Sequence, residues 1–399
     1  MTVHIPTTEE EAAAIIIDHT ARREPLSIFG GNSRAGFGNA SSCDITLSAR
    51  GMTGIVAYNP GEMVMTARSG TPVAEIEAAL AASQQMMAFE PMDHRPLMAT
   101  SGVPTIGGIF AANVSGPRRI ISGAARDSLL GVRFVNGRGE IVKAGGRVMK
   151  NVTGLDLPKL MAGSHGTLGL LTEVTFRVPP RNQTERTLVI SGLTDEGATA
   201  AMAAAMALSV EVSGAAHLPV SVASTFRTAR WADQSATMLR LEGLTGSVAV
   251  RMDKLTAAMG SLGGLSHLDE SDSQALWRTI RDAAPFADGT MRPVWRVSVP
   301  PSVGHRLVAA LRLEVGVDAF YDWQGGLVWL RMEAEPDGAL LRHHIAAVGG
   351  GHATLLRATP QARAENDAFE PQPQAVSLLS QRIKHKFDPA GIFNPGKMG

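Results

Sequence analysis

The sequence has little thiol to offer covalent or cluster chemistry: one of its 399 residues is cysteine, Cys43. One thiol makes no disulfide within the chain, no four-cysteine zinc site and no iron–sulfur cluster. Any cluster that exchanges electrons with this chain must sit on another polypeptide. Surplus charge of one sign is also missing, with 37 Lys and Arg against 37 Asp and Glu. A broad nucleic-acid-binding face needs excess cations to neutralise phosphates, so that class is disfavoured. Long apolar runs are absent too. The most membrane-like stretch, residues 200–208, is far shorter than the roughly 20 residues of a spanning helix, and it follows the acidic Asp195 and Glu196. No basic stretch followed by an apolar one opens the chain, so no secretory leader is expected. The expected location is cytoplasmic.

Several motifs are missing or incomplete. There is no His-Glu-x-x-His and no compact histidine spacing, and His343-His344 point to different sides of a helix, so no metal site is expected. There is no Gly-x-Ser-x-Gly elbow. Gly391 to Lys397 has the glycines and lysine of a phosphate loop but lacks the following Ser or Thr. Gly36-Phe37-Gly38 lacks the third glycine of a dinucleotide fingerprint.

What the chain does have is glycine, 42 residues against roughly 28 at ordinary usage of ~7%. Three glycine-rich segments share a style. The first is Gly30-Gly31-Asn32-Ser33-Arg34, entered from an apolar strand at 26–29. Successive backbone N–H groups in such a turn form a nest suited to a pyrophosphate. The second is Thr105-Ile106-Gly107-Gly108, continuing to Asn113, Ser115 and Gly116. The third runs from Lys150 and Asn151 through Gly154 to Gly163-Ser164-His165-Gly166-Thr167-Leu168-Gly169, with Leu171 beyond it.

Periodicity and turn signals predict helices at 8–23 and 73–83, and strands at 45–47, 54–58, 63–68, 127–134, 140–143 and 168–178. Pro179-Pro180 marks a boundary. Beyond it, strands at 187–190, 237–242, 293–299 and 352–357 and a hairpin at 319–332 alternate with helices at 195–209, 248–259, 303–315 and 338–348. That pattern predicts a separate α+β unit, with 184–260 and 293–358 as a loose repeat. Residues 361–374 read as a linker and 376–386 as a terminal helix.

The three segments, in this order, resemble the flavin-binding domain of the vanillyl-alcohol oxidase, or p-cresol methylhydroxylase (PCMH)-type, superfamily. The resemblance covers residues 1–180 and the tail 387–397. It implies an α+β fold: a two-part PCMH-type FAD-binding domain at 1–180, a ferredoxin-like α+β cap at 181–360, and a helix and tail at 361–399 returning to the flavin. Gly30, Gly31, Asn32, Ser33 and Arg34 would cradle the pyrophosphate of FAD. Thr105, Ile106, Gly107, Gly108, Asn113, Ser115 and Gly116 would continue around it, and Gly154, Gly163, Gly166 and Leu171 would line the rest of the cleft. Asn394 and Lys397 would bring the tail back, Lys397 either placing positive charge near the flavin or an anionic substrate or standing in solvent. Non-covalent FAD is expected. Asn32 and Val103 stand where some members carry a linking histidine or cysteine; a covalent flavin would point instead to His94 or His165.

More narrowly, the chain resembles the E-type subunits of bacterial glycolate oxidases (glycolate dehydrogenases). That implies a D-type flavoprotein and an F-type iron–sulfur subunit as partners, oxidation of glycolate or a related 2-hydroxy acid to the 2-oxo acid, and any contact with the inner membrane peripheral and through partners. The D-type relatives carry a metal-binding histidine pattern in the cap. Here that region offers Gly349-Gly350-Gly351-His352-Ala353 without a downstream histidine. No catalytic residue is assigned. A self-sufficient FAD-dependent alcohol or hydroxy acid oxidoreductase and a non-catalytic flavin-holding scaffold stay open as alternatives.

Overall fold

The structure, a computed structural model, describes residues 2–40, 43–147, 154–224 and 233–399. The opening of the third glycine segment, residues 150–153, lies outside them. The first helix, Glu9–Arg22, starts where Thr8 accepts a hydrogen bond from the Glu11 N–H, with Glu9, Glu10 and Glu11 in its first turn. A side-chain cap and negative charge at that end both satisfy the helix's unpaired donors. The helix buries Ala12, Ala13, Ile16 and His19 on one face.

That face covers a small parallel sheet of β1 (Thr2–His4), β2 (Ser27–Phe29) and β3 (Ile45–Ser48), in the order β1-β3-β2. A second, antiparallel sheet holds β4 (Ile55–Asn59), β5 (Val64–Arg68), β6 (Leu129–Val135), β7 (Ile141–Gly145) and β8 (Leu170–Arg177), in the order β4-β5-β8-β6-β7. One apolar cluster joins the two sheets. It contains Leu26, Leu47, Val135 and Leu170 together with Ile392 and Phe393 from the tail.

The third sheet has eight strands: β9 (Thr184–Ser191), β10 (Val212–Leu218), β11 (Ala236–Gly243), β12 (Gly264–Leu268), β13 (Val294–Ser298), β14 (Val317–Asp322), β15 (Leu327–Met332) and β16 (His352–Arg357). Their order is β12-β9-β11-β10-β14-β15-β13-β16. Each half runs strand–helix–strand–strand–helix–strand, and the halves meet edge to edge at His217 and Tyr321. The repeat expected from sequence is therefore present as topology, its first half extending through β12. Because strand side chains alternate, Trp295 and Val297 pack toward the helices Gly304–Arg312 and Gly338–Ala347. Val294, Phe320, Trp329 and Leu356 instead join the core of the β4–β8 region. This opposite face of the sheet is the roof over the part built on the β4–β8 sheet.

Ion pairs tie roof to base. Arg240 on β11 donates to Glu90 at 2.9 and 3.0 Å, and Arg118 donates to Glu242 at 2.7 and 3.0 Å. Burial pushes the Glu242 carboxyl up, but Arg240 and Arg118 outweigh it and hold it down at about 2.

Residues 361–374 are not a free linker. The helix Pro360–Glu365 opens the segment, and Ala362 and Ala368 are buried. The terminal helix, Gln374–Phe387, leads into a tail that pairs with the first sheet. The Leu26 N–H donates to Ile392 O at 2.7 Å, and the Asn394 N–H donates to Leu26 O at 3.0 Å.

Candidate functional site

A cleft of about 500 Å³ opens where the three glycine segments and the tail converge. That volume is typical of a small-molecule or cofactor site. The first segment leaves β2 and turns at Asn32, whose φ of 57° is left-handed. Among the described residues, the N–H groups of residues 31–34 donate to no chain acceptor. These are free donors lining a concave turn, the arrangement that receives an anion.

Among the described residues, the cations beside them pair with no carboxylate. Arg34 reaches only the carbonyl of Gly108, and burial pushes its guanidinium down to about 10. Burial, then the charge of Arg34, pushes the Lys397 ammonium down to about 8. The same two causes hold the His94 and His165 imidazoles at about 3, so both are neutral at physiological pH. Among the described residues, no Asp or Glu lines the cleft. A buried cation without a counter-charge is costly, and this cleft gathers two. The far wall is apolar, with Phe37, Ile109, Leu170 and Leu171. The ring of His165 lies 5.1 Å from Phe37 and 5.3 Å from Phe369. The site combines donors and cations for a polyanion with an aromatic and aliphatic wall for a flat ring system, which is what FAD requires.

The second segment plays a different part. Thr105 caps the helix Ile106–Ala111. The N–H groups of Ile106, Gly107 and Gly108 donate to Thr71 O, Ser69 O and Thr105 Oγ1. They shape the wall and have no donor left for a ligand. A Cβ on Gly107 would lie 2.4 Å from that of Ser69, so only glycine fits.

Of the residues expected to touch the cofactor, the structure brings together Gly30, Gly31, Asn32, Ser33, Arg34, Thr105, Gly107, Gly108, Gly166, Leu171 and Lys397 in one cleft. Ile106 is buried behind the wall. Asn113 accepts from the Arg126 N–H and Ser115 from the Ala125 N–H, while Gly116 donates to Phe89 O; all three lie away from the lining. Gly163 turns beneath Phe110, donating to its carbonyl, and Gly154 is exposed. Asn394 is a staple: its amide accepts from the Ile28 N–H at 2.8 Å and donates to His165 O at 2.8 Å. Sequence reasoning passed over Phe37, Met92 and Ser69 in the lining. His94 it had considered as a flavin nucleophile, and His165 as that or as a loop histidine.

Comparison with known proteins bears on this geometry. Residues 2–145 match the family described as FAD binding domain, and residues 370–398 match the C-terminal domain of FAD linked oxidases. The chain is 35% identical to the glycolate oxidase subunit GlcE of Escherichia coli (strain K12), over 94% of this chain and 93% of that protein. It is 39% identical to the glycolate oxidase subunit GlcD of Bacillus subtilis (strain 168), over 22% of this chain and 18% of the relative. Among solved structures, a 4-ethylphenol oxidase from Gulosibacter chungangensis shares the fold, with a TM-score of 0.72 at 14% identity over 100% of this chain and 88% of that one. An acid-free cationic cleft built by the FAD-binding region, and a likeness that runs nearly end to end, lead to one conclusion: the chain belongs to the GlcE family of glycolate oxidase subunits, FAD-dependent oxidoreductases.

Proposed function

We propose that this chain is the FAD-binding subunit of a glycolate oxidase complex that converts glycolate, or a related 2-hydroxy acid, to the 2-oxo acid. Its partners are a D-type flavoprotein and an F-type iron–sulfur protein. The observation that carries the reading is the unpaired cationic cleft at the matched FAD-binding residues. The N–H groups of residues 31–34, with Arg34 and Lys397, hold the phosphates. Leu170, Leu171 and Phe37 keep water from the ring system. Bound FAD supplies the two-electron acceptor that a hydroxy acid's C2 hydrogen requires. Lone Cys43 leaves onward one-electron transfer to a cluster on a partner.

In this reading residues 1–180 hold FAD, 181–360 form the cap, and 361–399 return to the flavin. Among the described residues no helix is long and apolar enough to cross a membrane; we assign the chain to the cytoplasm, with any contact with the inner membrane made through partners. FAD is held without a covalent bond, so acid precipitation should release all flavin to the supernatant. The decisive experiment is dye-linked glycolate turnover by the purified chain alone and after mixing with co-expressed partners. Flavin in the chain and turnover only in the mixture is expected. Full turnover in a mixture whose E-type site has been emptied of FAD would overturn the reading.

A further inference from the structure

Arginines at the seam between the eight-stranded sheet and the flavoprotein part fall into two kinds. Arg118, Arg240, Arg281 and Arg331 each meet an Asp or Glu within 3.1 Å. The guanidinium groups of Arg119 and Arg296, among the described residues, donate to no acceptor and form no ion pair within 4 Å. Instead their guanidinium carbons lie 4.5 and 4.8 Å from the ring centroid of Trp323. We propose that Arg119, Trp323 and Arg296 form a binding site for the carboxylate of a small 2-hydroxy acid. The proposal rests on the flavin-subunit reading above and names how that site would take its substrate.

The geometry arises from both parts of the molecule. Arg296 lies on β13 between Trp295 and Val297, which pack into the helix-side core. Alternation therefore turns Arg296 to the roof face, toward the flavoprotein part. Arg119 opens the short helix Arg119–Ser122 on the opposite side of the seam. The indole is fixed from two sides. Its Nε1–H donates to Gly116 O at 3.0 Å, and the Trp323 backbone N–H donates to Asp322 Oδ1 at 2.7 Å. A guanidinium stacked on an aromatic ring spends its face and keeps the N–H groups at its edge. Those edges form the planar fork that receives a carboxylate.

Electrostatics point the same way. Two like charges at one indole repel, and Arg296 is pushed down to about 10 by burial and then by Arg119. A bound anion relieves both. Arg119, Trp323 and Arg296 are all half-buried, each keeping part of its surface open. Arg296 also lies near enough to His94, a residue of the FAD cleft, to help depress its imidazole. Asp322, packed beside the indole, disfavours a second negative charge, so a monoanion suits the site better than a phosphate.

The test uses the FAD-loaded chain and oxamate, a monoanion with the outline of a three-carbon 2-oxo acid and no C–H bond to oxidise. Calorimetric titration should show oxamate binding, and no binding of its neutral methyl ester. Arg296→Gln and Arg119→Gln should each weaken oxamate by about tenfold or more with flavin content unchanged, and Arg296→Lys should recover part of the loss. Absence of oxamate binding, affinity unchanged in both glutamine variants, or phosphate binding as tightly as oxamate would each overturn the proposal. A fall in melting temperature with oxamate affinity intact would also overturn it, since the arginines would then only brace Trp323. Flavin content is measured on the same samples. A chain that takes up no FAD refutes the earlier reading, whereas a flavin-loaded chain indifferent to oxamate refutes this one.

Discussion

Replacing Arg34 by Met separates binding from folding. In the ligand-free chain Arg34 contributes little: its one polar contact is the Gly108 carbonyl. Holding its charge there is unfavourable. A guanidinium pushed down by burial to about 10 reflects on the order of 3 kcal/mol against the charged form. Arg34→Met should therefore leave the melting temperature of the flavin-free chain unchanged or raise it. With FAD present the balance reverses, because a hydrogen bond to a charged group contributes about 1.5–3 kcal/mol. The FAD dissociation constant should rise by roughly ten- to a hundredfold, and the thermal shift on adding FAD should shrink accordingly. Flavin fluorescence titration and thermal denaturation with and without FAD read both quantities. A flavin-free variant that melts well below the parent would show that Arg34 braces the fold. A dissociation constant within threefold of the parent would remove Arg34 from the cofactor site.

Lys397 should give FAD binding a pH dependence. Its ammonium titrates at about 8 in the free cleft, so above that pH the charge that attracts the phosphates is lost and FAD affinity falls. Lys397→Met should bind more weakly and flatten the profile between pH 7 and 9.5; an identical profile in the variant would clear Lys397 of the role. Asp322 carries a carboxyl pushed up by burial to about 7. A raised carboxyl contributes stability at low pH that is lost as pH rises through 7, so the melting temperature of Asp322→Asn should fall less than the parent's between pH 6 and 8. Arg240→Met leaves Glu90 and Glu242 buried with Arg118 as their remaining close cation, and should cost about 3–5 kcal/mol in urea denaturation. A loss under 1 kcal/mol would mean that the interdomain pairs are dispensable.

The sequence showed some of this and hid the rest for physical reasons. The helix Glu9–Arg22 was legible because its cap, its acidic turn and its apolar spacing are all local. Gly30 and Gly31 were legible as important for a phosphate-binding turn, and the structure adds a packing reason that the sequence does not show. A Cβ on Gly31 would lie 1.9 Å from Val103 O, and one on Gly30 would lie 2.1 Å from Thr105 Oγ1. These glycines let the first two loops lie on each other, so a Gly31→Glu variant would damage that packing before it reached a phosphate. β10 escaped notice because all seven of its residues are buried. A strand covered on both faces loses the alternation that announces a strand. His94, Arg119 and Arg296 gain their meaning from neighbours far away in the chain, and no local pattern records that.

The staple made by Asn394 sets a clock on the protein's birth. It joins β2 and the third loop across 366 and 229 positions of sequence, among the most distant contacts a chain of this length can make. Such contacts form late, because the intervening chain must first be ordered. On a translating ribosome the first glycine loop emerges well before residue 394, so the cleft closes only once that residue has been made. A chain short of residue 394 would carry a legible cofactor motif with no closed place to put the cofactor.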